Sequence, residues 1–410
     1  MYDIIIVGGG IAGLYSAYQL NKLYPKKSIK IMEKSDRLGG RIYTYKDNNF
    51  QVEAGAGRFT NKNRILFKLI EELGLKSKNI PITTDFEIID AKCRPGIAQK
   101  SQIHEYLQTI LTNVKESEKE LQNMTFLDYI KTKISKEQAQ YLLDFFGYTS
   151  ELTVMNANDA IKVMRTYFTK NTNYYILKGG LSQVVEKLHN KIKRRTVVET
   201  KTEITDVTFN NDGIFEITSK NRKKEYCKVC IFAVTKDVLE QISFFEPIYK
   251  YLKYIELKPL CRIYAKYATP WYDFPKITTN NPLNYIIPID PENGIIMISY
   301  TDEEQAQYWK RVHDRGGIPA LKSRIQTYIK QVFHIDTPQP RALKMCYWDK
   351  GVAYYTKGFD STTMTKAIRQ PRKQIPLYVC GENYSLNNTA WIEGGLDTSA
   401  LVVKEIQKVM

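Results

Sequence analysis

Nowhere in the chain of 410 residues do about eighteen apolar residues run together, which excludes a membrane-spanning helix. A β-branched run begins at the third residue, leaving no room for a signal peptide, so a cytoplasmic address is expected. Histidine is scarce: His104, His189, His313 and His334 stand far apart and in no ligand spacing, and no metal is expected. The six cysteines, at 93, 227, 230, 261, 346 and 380, lack the spacing of a disulfide framework and should stay reduced. Cys227-x-x-Cys230 invites a redox or zinc reading, yet no second Cys/His pair completes a tetrahedral site. The pair lies inside the strand-like stretch Tyr226–Val234 and is read as core packing.

Acidic residues are in deficit, 44 against 60 lysines and arginines, for a net charge of +16. The cations are spread along the chain singly or in short groups such as Arg222-Lys223-Lys224, without the clustering of a nucleic-acid face. Abundant Lys, Asn, Ile and Tyr together also match the codon usage of an AT-rich genome. In either case a positive field attracts anionic substrates. Glycine and proline nearly vanish from about Ser101 to Lys170, where apolar residues recur at helical spacing; this predicts a helical insertion.

What is present begins with Asp3-Ile4-Ile5-Ile6-Val7, the pattern of a strand buried on both faces of a parallel sheet. Gly8-Gly9-Gly10-Ile11-Ala12-Gly13 follows, and then a helix over Ile11–Leu23. In such a turn Gly8 permits the tight bend, Gly10 admits a pyrophosphate, and Gly13 lets helix pack on strand; the helix N-terminus supplies unpaired N–H groups. A second strand, Ser28–Met32, ends at Glu33, placed to accept ribose hydroxyls, with Lys34 beside it. Strand, helix and acid in register favour a dinucleotide over a purely structural turn. Beyond lies Arg37-Leu38-Gly39-Gly40-Arg41, of which Arg41 is expected to contact the pyrophosphate.

Further along, Asn63–Leu75 and Ser182–Lys193 read as helices, and strands alternate from Val197 to Val234 around the turn Asn210-Asn211-Asp212-Gly213. Residues 236–360 mix short strands with one strong helix, Ile318–Val332. Their tyrosines and tryptophans (264, 271, 272, 285, 300, 309, 347, 348, 354 and 355) could collectively line a pocket. Leu377–Glu382 reads as a buried strand ending in glycine, and Trp391–Leu396 leads into a last helix, Asp397–Lys408.

With both ends in view, the chain resembles the flavin-containing amine oxidase superfamily. The residues that carry this are DIIIVGGGIAGLYSA with Glu33, RLGGR at 37–41, EAGAGRF at 53–59, LKGG at 177–180, CGENYS at 380–385 and AWIEGGLDTS at 390–399. The resemblance implies an α/β fold: a Rossmann-like FAD-binding domain of the GR2 flavoprotein type (1–85, 178–235 and 368–410), a mixed α+β substrate domain (86–100 and 236–367) and a helical domain (101–177). It implies FAD held by Gly8, Gly10, Ile11, Ala12, Gly13, Glu33, Lys34, Gly40, Arg41 and Gly57, with the Ile204 backbone at adenine. Arg58 is counted with the cofactor contacts as well; Gly381 and Glu382 would lie near the ribityl chain and pyrophosphate, and the backbone of Trp391, Ile392 and Glu393 near the pyrimidine end of the isoalloxazine. Ala353 stands where covalent relatives carry cysteine, so non-covalent FAD is expected.

EAGAGRFTNKNRILFKLIEELGL is similar, without a gap, to the matching segment of L-amino-acid oxidases, whose arginine at the position of Arg58 binds the substrate carboxylate. Ile298–Thr301 resembles the strand whose tyrosine, here Tyr300, gives the second carboxylate contact, and Trp391 resembles the aromatic wall of the substrate site. A structural role for Arg58, capping a loop or touching the pyrophosphate, is the competing reading. Arg262 stands where the family lysine holds a water near flavin N5; a register shift would put Lys266 there instead. The implied reaction is hydride transfer from an amino acid's Cα to flavin N5, hydrolysis of the imino acid to a 2-oxo acid and ammonia, and reoxidation by dioxygen to hydrogen peroxide. The partners are then an amino acid, taken as a small-molecule substrate, and dioxygen, without metal or membrane, and a homodimer is left open. Other readings are a monoamine or polyamine oxidase, a decarboxylating monooxygenase, and a non-catalytic flavoprotein that binds nucleic acid.

Overall fold

A run of β-branched residues is stable only where both faces of the strand are covered. In the computed structural model, which describes residues 1–83, 86–93, 101–168 and 171–410, Tyr2–Val7 lies inside a seven-stranded sheet. Its parallel neighbours are Ile29–Met32, with Ile4 opposite Ile29, and Lys224–Phe232, with Ile4 opposite Val229. Thr196–Glu199 and Leu377–Val379 extend the parallel part, while Ile204–Phe209 and Phe215–Ser219 add an antiparallel meander.

Alternation then sorts the two faces. Ile4 and Ile6 pack with the helices Ile11–Leu23, Ser182–Ile192 and Ile392–Ile406, whereas Ile5 and Val7 face a second core with Cys227, Cys230 and Phe232. That second core also takes in Leu239, Ile242, Phe245, Met364 and Ile368.

The other large sheet runs in the order Ala342–Tyr355, Ile255–Lys266, Ile295–Asp302, Tyr285–Asp290, Lys276–Thr279, Phe86–Ile89. Two of its strands are long, 14 and 12 residues, rather than short. The expected segment 86–100 contributes its first residues here; 94–100 lie outside the described residues, as do 84, 85, 169 and 170.

Helices fill Ile103–Tyr167, as glycine and proline scarcity predicts, and Ser117, Thr125 and Ser135 each close a reciprocal capping box. No helix among the described residues is long and apolar enough to cross a membrane.

Three helices differ from expectation. The one expected over Asn63–Leu75 spans only Arg64–Glu72. The one expected over Ile318–Val332 begins at Glu303, with a break at Gly317, where φ is 59°. Its first part buries only Ala306 and Trp309, too sparse an apolar pattern to register as a helix. The last helix starts at Ile392, not Asp397. Gly394-Gly395 reads as a loop but sits inside it because a Cβ on Gly394 would lie 2.3 Å from the Asn388 carbonyl, and one on Gly395 3.1 Å from Ile11.

Candidate functional site

Each motif glycine meets a different constraint. Gly8 has φ of 107°, and a Cβ there would lie 2.4 Å from the Ala233 carbonyl oxygen. A Cβ on Gly13 would lie 2.0 Å from the Gly8 carbonyl oxygen, which makes it a packing residue; it does not line the cleft described below. Gly10 has nothing within 4 Å of where its Cβ would be. It caps Ile11–Leu23 with no side-chain partner, leaving the first helical N–H groups turned toward open space. That is a cradle for phosphate.

The open space is a cleft of about 870 Å³, lined by Gly8, Gly10, Ile11, Ala12, Glu33, Lys34, Gly40, Arg41, Gly57, Arg58, Ile204, Arg262, Tyr300, Gly381, Glu382, Trp391 and Ile392 among others. The Glu33 carboxylate accepts the Gly9 and Ser35 amides at 2.7 and 2.8 Å, which fixes it at the end of its strand. Arg41 pairs with Glu382 at 2.7 Å and donates to the Gly351 carbonyl at 3.2 Å. The other Glu382 oxygen accepts the amide of Ala390 at 2.6 Å, a residue held at φ of 65° directly before Trp391. Glu382 thus joins the arginine expected at the pyrophosphate to the turn that presents the indole. Trp391 itself stacks on Tyr167, centroids 4.5 Å apart.

The Glu393 side chain turns to another task. Its carboxylate accepts the amides of Ile65 and Leu66 at 2.8 and 3.0 Å, capping the helix Arg64–Glu72, and the residue does not line the cleft. The WIEG motif therefore splits into a cleft wall and a helix cap.

The segment EAGAGRF is braced from several sides. Glu53 accepts the Leu181 amide at 2.7 Å, joining this motif to LKGG, and the Trp348 indole N–H donates to the Ala54 carbonyl at 2.6 Å. Arg262 donates to the Glu53 carbonyl at 2.9 Å and to that of Gly55, while its other nitrogen reaches the Tyr300 hydroxyl at 3.2 Å. Lys266, farther along the same strand, does not line the cleft; Arg262 does.

Arg58 emerges from this loop into a group of tyrosines. It donates to the Tyr148 hydroxyl at 3.2 Å and lies 5.0 Å from the Tyr174 ring. Among the described residues it makes no ion pair to a carboxylate, and its partners there do not belong to the glycine turn. Burial opposes its charge, but Tyr148, Tyr174, Tyr300 and Tyr285 outweigh that and raise its pKa, so it stays protonated.

Of the aromatics in 236–360, Tyr300, Trp348 and Tyr354 line the cleft; Trp271, Tyr272 and Trp309 belong to a separate core. Tyr148 and Glu151 line the cleft without having been foreseen from sequence. Tyr148 precedes and Glu151 lies within the first turn of the helix Thr149–Thr153, which Asp302 caps by accepting the Thr149 and Ser150 amides at 3.1 and 2.8 Å. Among the described residues, no group of three or more His, Cys, Asp or Glu could hold a metal. Ala353 is buried, and Cys346, which does line the cleft, has its thiol pushed up to about 11 by burial.

The family model for flavin containing amine oxidoreductases matches residues 11–407. Aplysianin-A of Aplysia kurodai is 23% identical, over 99% of this chain and 90% of that protein. The L-amino acid oxidase bordonein-L of Crotalus durissus terrificus is 21% identical, over 60% of this chain and 53% of the snake enzyme. A solved structure from Exiguobacterium sp. 255-15, provisionally named a protoporphyrinogen oxidase, superposes with a TM-score of 0.76 over 100% of this chain and 99% of its own at 15% identity, a likeness of fold. The open face at Gly10, the fixed acid at Glu33 and the guanidinium of Arg41 fit a dinucleotide with a neutral ribose. This chain therefore belongs to the flavin containing amine oxidoreductase family, and the cofactor of its cleft is FAD.

Proposed function

We propose that the protein oxidises an L-amino acid, turning it with water and dioxygen into a 2-oxo acid, ammonia and hydrogen peroxide. One observation carries this reading: Arg58 places on the cleft a guanidinium that no carboxylate pairs among the described residues, hydrogen-bonded to Tyr148 and with aromatic rings around it. Leaving a buried charge without a partner is costly, and a substrate carboxylate removes that cost through a bidentate pair.

Bound FAD, held non-covalently, supplies the two-electron acceptor. The chain supplies position. Arg58 and the Tyr300 hydroxyl hold the carboxylate, and the Trp391 indole, fixed by Tyr167, walls the substrate and excludes water. Arg262 keeps the loop that carries Arg58 in place through the Glu53 and Gly55 carbonyls. An amine bound in its neutral form needs no strong base.

A peroxide assay across the twenty amino acids plus putrescine and spermidine tests the reading. Turnover of amino acids, with Arg58→Ala weakening apparent affinity about tens to thousands of fold and sparing amines, is the expected result. Preference for the amines would point to an amine oxidase. An amide and carbon dioxide as products would point to a decarboxylating monooxygenase.

A further inference from the structure

Arg58 has an unused counterpart in the same cleft. Glu151 lines it, and one carboxylate oxygen of Glu151 is buried without any hydrogen-bond partner. Glu151 and Arg58 do not close on each other as an ion pair. Each is anchored elsewhere: Arg58 by the Tyr148 hydroxyl, and the helical turn of Glu151 by Asp302, whose carboxylate takes the Thr149 and Ser150 amides and the Ser150 hydroxyl. Tyr148 and Glu151 are three residues apart around one turn, so the anchor of the guanidinium and the free carboxylate leave the backbone on the same side.

A cleft that holds a guanidinium without a carboxylate partner and a carboxyl without a hydrogen-bond partner, both positioned by the scaffold, is complementary to a ligand that carries a carboxylate and a cation at separate points. We propose that Glu151 makes the substrate pocket selective for L-amino acids with a cationic side chain: the α-carboxylate sits at Arg58 and a side-chain ammonium or guanidinium at Glu151. This rests on the amino-acid reading above and names the class of side chain. Leu260, Val352 and Tyr354 line the same cleft and offer apolar and aromatic wall to side-chain methylenes.

A neutral side chain would leave the Glu151 carboxyl buried with nothing to bond. A cation supplies the missing partner. Burial first, and the neighbouring Asp302 second, push this carboxyl up to about 8, with Arg58 pulling the other way; a docked cation returns it to the ionised form.

The test uses the FAD-loaded enzyme and two matched substrate pairs, lysine against norleucine and arginine against citrulline, followed by peroxide release. Within each pair the carboxylate and α-amine are alike and the side-chain charge differs. The wild-type kcat/KM should favour the charged member about ten- to hundredfold, and Glu151→Gln should erase most of that through KM on lysine and arginine. Norleucine, which brings no cation to this carboxyl, should lose far less than lysine does.

Equal use of both members by the wild type overturns the proposal, and that measurement does not depend on the variant folding. So does an equal loss of kcat on all four substrates in Glu151→Gln, which would place the carboxylate at the α-amine. Cadaverine, lysine without its carboxylate, separates the two layers. If it matches lysine, the carboxylate anchor at Arg58 fails; if lysine far exceeds cadaverine but equals norleucine, only the role of Glu151 fails.

Discussion

Arg262 and Tyr300 are cross-strand partners, and the guanidinium of one donates to the hydroxyl of the other at 3.2 Å with its carbon 4.4 Å from the ring centroid. The same guanidinium bonds the Glu53 and Gly55 carbonyls, so three acceptors on two elements depend on one planar fork. A lysine ammonium is a point charge on a shorter reach and cannot span them. Arg262→Lys should lower stability by about 1–3 kcal/mol and raise KM for the amino acid, because the loop that carries Arg58 loosens. Chemical unfolding and steady-state kinetics measure the two effects. An unchanged unfolding midpoint with unchanged KM would remove the brace.

Tyr148→Phe keeps the ring beside Arg58 and deletes only the acceptor at 3.2 Å. A hydrogen bond to a charged group contributes about 1.5–3 kcal/mol, so KM for amino acids should rise roughly tenfold or more, with kcat nearly unchanged. An amine without a carboxylate should show no change. If both substrates lose equally, Tyr148 shapes the cavity and does not orient Arg58.

Gly10 and Gly13 belong to one motif yet should fail differently. A methyl at Gly10, φ of −72°, points into open cleft, so Gly10→Ala should fold normally and lose flavin. A methyl at Gly13 meets the Gly8 carbonyl at 2.0 Å, so Gly13→Ala should destabilise the apoprotein itself by about 1–3 kcal/mol and lose flavin as well. The flavin-to-protein absorbance ratio after gel filtration, set beside apoprotein unfolding, distinguishes the two. Full flavin retention in Gly10→Ala would mean that no phosphate approaches this turn.

These glycines were legible because their constraint is local: a strand, a turn and a helix within twenty-odd residues. The helix Ile11–Leu23 has the bounds read from sequence, and Glu33 lies where the strand ends. Arg58, Tyr300, Arg262 and Trp391, read from resemblance, converge on one cleft. Tyr148 and Glu151 were not legible. They come from the helical segment and are placed by Asp302, 152 residues away along the chain from Ser150, and nothing local marks an acid in the first turn of a short helix as anything but a dipole partner. The Glu393 side chain was not legible either: its carboxylate caps Arg64–Glu72, a helix more than 300 residues earlier in the chain.

The buried carboxyls also set a pH dependence. Burial is the leading cause that raises Asp302 to about 6 and Glu151 to about 8, against about 4 in an unfolded chain. The groups bearing on Glu151 are Asp302 and Arg58, together with Tyr174, Tyr285 and Tyr354. A raised carboxyl binds its proton more tightly in the folded state, so its stabilising contribution is complete below about pH 4 and is lost as pH rises through the folded value. For Asp302 the loss falls between about pH 4 and 6, and for Glu151 it continues to about pH 8. The apoprotein should therefore lose stability between about pH 6 and 8, and Glu151→Gln, which cannot ionise, should flatten that interval while leaving the lower one. Denaturant midpoints across the range read both. A slope between about pH 6 and 8 that persists in Glu151→Gln would assign the titration to another group.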